Sequence, residues 1–269
     1  MRILTAGPSA LLLTAALALA TPAGATTAQT PSSADRAAAG PAITIAVKSP
    51  VVTRGKKVVV TGTVTNKKVT KVTLQQKRKG TSWKAQATAM VKADGTYRLK
   101  DKTTTAVTRK YRVISATGPK KKSAKVTVGV YEWKDLTKLK VRTSMGWSQQ
   151  NTVQINATTY SPALVGYVWS GPSLVDYNLN HNCISLRARL GLSDSSDSTA
   201  QATISVLSDD TAVYAKSFRL TQSEVVTVPL GSPFRVGLSF TADNPGNLTP
   251  APRTVPVAAD PEVFCTSGK

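Results

Sequence analysis

Between Cys183 and Leu192 apolar and polar side chains alternate. Ile184, Leu186, Ala188, Leu190 and Leu192 take every second position, with Ser185, Arg187, Arg189 and Gly191 between them. A period of two is that of an extended strand, and it predicts that the five apolar side chains share a buried face while both arginines face water. A strand wet on one side only belongs to an antiparallel sheet packed against a second sheet. The run Ser193-Asp194-Ser195-Ser196-Asp197-Ser198 ends the strand in a polar turn, and Thr203-Ile204-Ser205-Val206-Leu207-Ser208 reads as the next strand.

The preceding ninety or so residues carry the same signature in shorter pieces. Residues 43–47, 57–61, 69–75, 83–89, 96–99, 109–114 and 123–128 are rich in β-branched side chains. Turn signals separate them at Arg54-Gly55, Asn66-Lys67, Lys79-Gly80, Asp94-Gly95 and Gly118-Pro119. Seven short strands in that length predict an immunoglobulin-like sandwich over residues 41–130, with no cysteine to pin it.

Charge divides the chain at the same place. Residues 41–130 hold 17 Lys and 5 Arg against Asp94 and Asp101, a net +20, whereas residues 131–269 hold 5 Lys and 6 Arg against 11 acids and are neutral. An excess of this size is more than solubility requires, and it points to a polyanionic partner held by salt-sensitive contacts. Lys77, Arg78 and Lys79 at one turn and Lys120, Lys121 and Lys122 at another are the candidate contact residues, placed in loops. Nucleic acid is the disfavoured polyanion, because aromatic side chains are not interleaved with the cations and no base-reading motif is present. The alternative is that exposed lysines simply keep strand edges from pairing with other chains.

The start of the chain reads as a targeting segment. Arg2 precedes the apolar run Ala10–Ala20, and Ala23-Gly24-Ala25 has the small-x-small form of a secretory cleavage site, so residues 1–25 are expected to be a signal peptide. The Ala-, Thr-, Ser- and Pro-rich residues 26–40 are expected to be a disordered lead-in. No later apolar run is long enough for a transmembrane anchor, so the mature protein is expected outside the cell, secreted or associated with the cell wall. In that compartment Cys183 and Cys265, the two cysteines, are expected to form a disulfide worth roughly 4–5 kcal/mol by loop closure.

No catalytic constellation emerges. His181, the single histidine, lies between Asn180 and Asn182 at a turn, with no nucleophile and acid in a recognisable arrangement around it. Asp209-Asp210-Thr211 reads as a hairpin tip. Asp194 and Asp197 offer oxygens to a calcium ion, but the glycine and terminal glutamate of a calcium loop are missing, which favours a solvated turn. Neither metal nor cofactor is expected. The candidate ligand residues are Tyr167 and Trp169, in the Gly- and Pro-punctuated stretch from Tyr160 to Pro172. At two residues' separation in extended chain their rings face one side, where they could stack on a sugar; the alternative is that both close the core.

The order of features in the second half also resembles a known family. Glu132-Trp133-Lys134-Asp135-Leu136, then Val153-Gln154-Ile155-Asn156, then Tyr177-Asn178-Leu179 leading into the Arg187-Ala188-Arg189-Leu190-Gly191-Leu192-Ser193-Asp194 strand, followed by Ile204–Leu207 and Val213–Phe218, is similar to the NPCBM-type (novel putative carbohydrate-binding module) β-sandwich of secreted bacterial proteins. The resemblance spans roughly Tyr131 to Cys265. It implies a jelly-roll-like sandwich and carbohydrate as the partner. Two marks of the family's ligand pocket are replaced: Gly166-Tyr167-Val168 stands where Gly-x-His is implied, and Asp260-Pro261 where Asp-Trp is implied. The first half is similar, through Val72–Lys77, Trp83, Asp94–Tyr97 and Tyr111–Val113, to immunoglobulin-like or fibronectin-like repeats of secreted actinobacterial proteins, which implies a spacer or adhesion module. The sequence therefore predicts an all-β chain of two β-sandwich domains, residues 41–130 and 131–269. It would be a noncatalytic binder of glycan or anionic cell-envelope polymer, alternatively a structural or protein-interaction module without sugar affinity, and in third place a secreted hydrolase accessory or enzyme.

Overall fold

The computed structural model describes residues 42–167, 173–243 and 251–267. The signal peptide, the lead-in and Trp169 lie outside these residues. The fold is all-β, with a single turn of 3₁₀ helix at Leu136–Lys138 and no α-helix among the described residues. None of them forms a helix long and apolar enough to cross a membrane.

The first strands are β1 (Ala46–Val47), β2 (Val51–Thr53), β3 (Lys57–Thr63), β4 (Lys71–Arg78), β5 (Lys84–Met90), β6 (Thr96–Lys102), β7 (Arg109–Ser115) and β8 (Val126–Asp135). They form two layers, β1-β3-β6 and β5-β4-β7-β8, with β2 running parallel to the outer edge of β8. Alternate positions of β3, β4, β6 and β7 face inward, and Val58, Val60, Val72, Leu74, Tyr97, Leu99, Tyr111 and Val113 fill the space between the layers. All seven strand runs recognised in the sequence are present with shifted ends, and β2 is one that the sequence analysis did not separate. Lys77 and Arg78, expected in a loop, are the last residues of β4; only Lys79 enters the turn, where Gly80 takes φ +72°.

The remaining strands are β9 (Val141–Met145), β10 (Trp147–Gln150), β11 (Val153–Ile155), β12 (Thr158–Tyr160), β13 (Ala163–Gly166), β14 (Ser173–Asn178), β15 (Cys183–Leu192), β16 (Gln201–Ser208), β17 (Thr211–Arg219), β18 (Ser223–Pro229), β19 (Arg235–Asp243) and β20 (Pro256–Cys265). One sheet runs β10-β13-β20, with β15 and β18 beyond β20; the other runs β17-β16-β19-β14-β9. Leu186, Ala188, Leu190 and Leu192 of β15 meet Ile204 and Val206 of β16, Leu238 of β19 and Val175 of β14 in the core between the sheets. The hairpin β11-β12 covers a smaller apolar cluster of Val153, Ile155, Val165 and Val257.

β8 pairs with β7 through Val126–Val128 and with β20 through Glu132–Asp135, so it passes without a break through Tyr131, where charge changes along the sequence. The disulfide Cys183–Cys265 ties the start of β15 to the end of β20. It also explains why one of the five alternating side chains misses the core. The β15–β20 ladder shifts register between Cys183 and Ser185, so Cys183 is buried in the core and Ile184 is only half-buried. A second irregularity lies opposite Arg187–Arg189, where Asp260 takes φ +47° and Asp260-Pro261 bulges from β20.

Candidate functional site

A hollow of about 530 Å³ lies between the β11-β12 hairpin and the loop that follows β15. Its wall carries amide, hydroxyl and carboxylate side chains, among them Gln150, Gln154, Thr152, Thr159, Ser193 and Asp194, with apolar surface that includes Val153 between them. The hairpin stands where it does because its two-residue turn has a fixed clamp. Asn156 and Ala157 both adopt the left-handed conformation, φ 51° and 58°, which leaves their amides pointing together. Asp194 accepts one hydrogen bond from each, at 2.7 Å and 2.7 Å, and its own N–H donates to the Gln154 carbonyl at 3.0 Å. Asp197 holds the other side of the loop, accepting from the Arg253 N–H at 2.6 Å. The serine- and aspartate-rich stretch is thus a stapled loop whose carboxylates are engaged by backbone amides, an arrangement that leaves little for a calcium ion. Among the described residues no three His, Cys, Asp or Glu side chains gather to hold a metal.

Tyr167 follows β13 at the edge of the same sheet. Its N–H donates to the Gly146 carbonyl at 2.7 Å, and its hydroxyl accepts a hydrogen bond from the Gln150 amide, whose residue also lines the hollow. The ring is 42% exposed, so it does not serve the core. The aromatic residue that does is Trp147 on β10, buried edge-to-face against Phe240 at 5.4 Å. The groove therefore carries hydrogen-bonding groups along its length and one accessible ring hydrogen-bonded to its wall.

An aromatic row that was not read from the sequence lies on the outer face of β8, β20 and β15. Tyr131 stacks on Phe264 at 5.2 Å, Phe264 on Trp133 at 4.9 Å, and the Arg187 guanidinium lies 4.3 Å from the Trp133 ring centre. Arg187 also pairs with Glu262 at 2.5 Å. The alternations Tyr131-x-Trp133 and Glu262-x-Phe264 are the signal that was available. The rings pack on one another and on Arg187, so the row ties β8, β20 and β15 together. Tyr131 folds back over Gly129, where a Cβ would run into its ring, which is why glycine stands there.

The other singled-out residues have structural places. His181, with Asn180, turns the chain before β15 in the left-handed region, φ 60° and 50°; its Nδ1 lies 2.8 Å from the Ser232 carbonyl and its ring packs near Phe234. Asp209-Asp210 forms the β16-β17 turn, Asp209 accepting from the Phe234 and Arg235 amides. Asp260 sits at the β20 bulge, its carboxyl held above the usual range by burial and by Glu262, with Arg189 opposing.

The cations of the basic sandwich are mostly without carboxylate partners. Asp94 is engaged by Thr96, and Asp101 is buried with Arg109 and Tyr111, so among the described residues of that sandwich only Arg54, which reaches Glu132, and Arg109 form ion pairs. Lys77 lies opposite Lys110 on the outer face of β4 and β7. Lys120, Lys121 and Lys122 lie in the β7–β8 loop near the other end of those strands, with Lys122 bridging to Ile114.

Comparison with known proteins places part of the chain. No curated protein matches it. Among solved structures it is similar to a carbohydrate-binding module, CBM36, in complex with calcium and xylotriose, at 11% identity and a TM-score of 0.29, covering 49% of this chain and 98% of that one. Residues 120–248, just under half of the chain and including the whole hairpin, Tyr167 and the clamp loop, match the family profile described as the NPCBM/NEW2 domain.

Proposed function

We propose that the chain is a secreted, noncatalytic binding protein that holds a saccharide in the groove beside the β11-β12 hairpin and anionic envelope polymer on its basic sandwich. The observation that carries the first part is the coincidence of the NPCBM/NEW2 match with a groove walled by amides and hydroxyls and joined to the exposed ring of Tyr167. Hydrogen bonds alone exchange with solvent at little net gain, and a ring that stacks on the apolar face of a sugar supplies the remainder. Tyr167 supplies that ring here, and Gln150, Gln154 and Thr159 the polar contacts. The second part is supported by the net +20 of residues 41–130 and by the scarcity of carboxylates near Lys77, Lys79 and Lys120–Lys122. The two-layer arrangement of β1–β8, with β2 parallel to β8, favours reading this half as an immunoglobulin-like module.

The test is retention of the full chain on a glycan array and on purified cell-envelope fractions across a salt series. Tyr167→Ala is expected to weaken saccharide retention about tenfold, equivalent to ~1.4 kcal/mol, with Gln154→Ala also weakening it. Retention on anionic fractions is expected to fall steeply with salt. A wild-type chain that captures no glycan overturns the saccharide reading and favours a structural or protein-interaction module; envelope retention indifferent to salt overturns the charge reading.

A further inference from the structure

We propose that the open end of the basic sandwich is a specific site for a tetrahedral oxyanion, a phosphate or sulfate ester carried on a hydroxylated molecule. The proposal deepens the polyanion reading above, by replacing diffuse attraction with a built pocket.

Three strands change character at the same end. Inward positions of β4 run Val72, Leu74, then Gln76 and Arg78; those of β6 run Tyr97, Leu99, then Asp101; those of β7, read backwards, run Val113, Tyr111, then Arg109. Gln76 lies opposite Tyr111 and Arg78 opposite Arg109, so the polar positions meet where the apolar core stops. There they surround a hollow of about 320 Å³ lined by Gln76, Arg78, Lys84, Lys102, Thr104 and Arg109, with further hydroxyls from the β4–β5 turn.

The charges around it do not balance. Arg109 is 2% exposed and anchored: its Nη2 donates to the carbonyl and hydroxyl of Thr105, each at 3.0 Å, while Nη1 reaches Asp101 only at 3.5 Å and Nε has no partner among the described residues. Asp101 takes its shorter hydrogen bond, 2.6 Å, from the Tyr111 hydroxyl. Arg78, Lys84 and Lys102 pair with no carboxylate among the described residues. Buried Arg109 and half-buried Arg78 line this space with exposed Lys84 and Lys102 at its rim, against one carboxylate, so like charges repel across a wall that is in part low in dielectric. A bound oxyanion relieves that repulsion, and fixed cations with oriented donors hold phosphate in the same way at other sites. The donors come from β4, β5, β6 and β7, that is, from several sides. That suits a group whose oxygens diverge tetrahedrally better than a planar carboxylate, which a single arginine fork satisfies. The volume is at the small end for ligand sites and admits one charged unit with its carrier, not a length of polymer. Thr104, Gln76 and the turn hydroxyls are placed to bind the carrier's hydroxyls.

The test is calorimetric titration of the full chain with inorganic phosphate, inorganic sulfate and glycerol 3-phosphate, each at constant ionic strength in chloride. Saturable binding of phosphate or sulfate, at least tenfold weaker in Lys84→Ala/Lys102→Ala and in Arg78→Gln, is expected. The variant Lys67→Ala/Lys68→Ala, which removes the same charge at an exposed turn away from the hollow, should change affinity less than twofold; thermal melts confirm that all variants fold. Preference for phosphate over sulfate, and a gain for glycerol 3-phosphate, identifies a phosphodiester or phosphomonoester source, and the reverse order a sulfated one. Absence of saturation, or equal weakening by both double variants, overturns the pocket. If salt-sensitive retention on anionic polymer persists in that case, the broader polyanion reading survives its loss; if phosphate binds and polymer is not retained, the pocket stands without it.

Discussion

Removing the Asp194 carboxylate tests whether the groove is built by the clamp described above. The side chain accepts two backbone N–H bonds at 2.7 Å from consecutive left-handed residues, Asn156 and Ala157. A hydrogen bond to a charged acceptor contributes about 1.5–3 kcal/mol when buried, but this carboxylate is exposed, so about 1 kcal/mol each is the appropriate figure. Asp194→Ala should therefore destabilise the protein by about 2 kcal/mol. Asp194→Asn, which keeps one acceptor oxygen and turns an amide toward the other N–H, should lose about half of that. For a chain of this size 2 kcal/mol corresponds to a Tm lower by about 4–8 °C. Urea denaturation measures the global loss, and hydrogen exchange at the Asn156 and Ala157 amides measures the local one. If the hairpin opens as a unit of its own, exchange there accelerates by more than the melt predicts, and saccharide binding weakens although Asp194 need not touch the sugar. An Asp194→Ala protein within 0.5 kcal/mol of wild type, with unchanged exchange at both amides, would refute the clamp and with it the account of why the groove is open.

Two further outcomes follow from the same structure. Replacing Cys183 and Cys265 together by Ala should cost roughly 4.5 kcal/mol, the loop-entropy value for the 82-residue separation, read from denaturant midpoints; a loss below 1 kcal/mol would refute the loop-entropy account and mean that the unfolded chain already holds the two segments near each other. Burial holds the Tyr97 and Tyr111 phenols well above their usual range, and it pushes Tyr177 up to about 12, with the Asp135 carboxylate adding to it. A raised folded-state pKa favours the protonated form, so stability is full below the unfolded value of about 10 and declines as pH rises toward 12. Absorbance at 295 nm should show part of the seven tyrosines ionising only as the fold is lost; all seven ionising near pH 10 in an intact fold would contradict this.

Periodicity and turn chemistry determine much about the individual strands. Alternation in Cys183–Leu192 and in the short runs before Tyr131 follows directly from which face meets the core, and Asp209-Asp210 followed by Thr211 reads as a hairpin tip because two short polar residues tolerate positive φ. The pairing of Cys183 with Cys265 needed only a cysteine count and a compartment. The count of 22 cations against two acids in residues 41–130 is likewise a property of composition.

Other features depend on which strands become neighbours, which local pattern cannot report. Ile184 leaves the core because the ladder slips beside the disulfide, and a slip is a relation between β15 and β20. Phe264 lies more than 130 positions along the chain from Tyr131 and Trp133 and stacks with them only because β8 lies beside β20. Asp194 reads as one more polar turn residue until the β11-β12 amides are brought to it. Arg78 looked like a loop cation, yet its place at the end of an inward-facing series opposite Arg109 makes it part of a pocket wall. The sequence set the period, the turns and the charge, because these are local and additive. Site geometry was decided by tertiary structure, because a groove or a charged hollow exists only between elements distant along the chain.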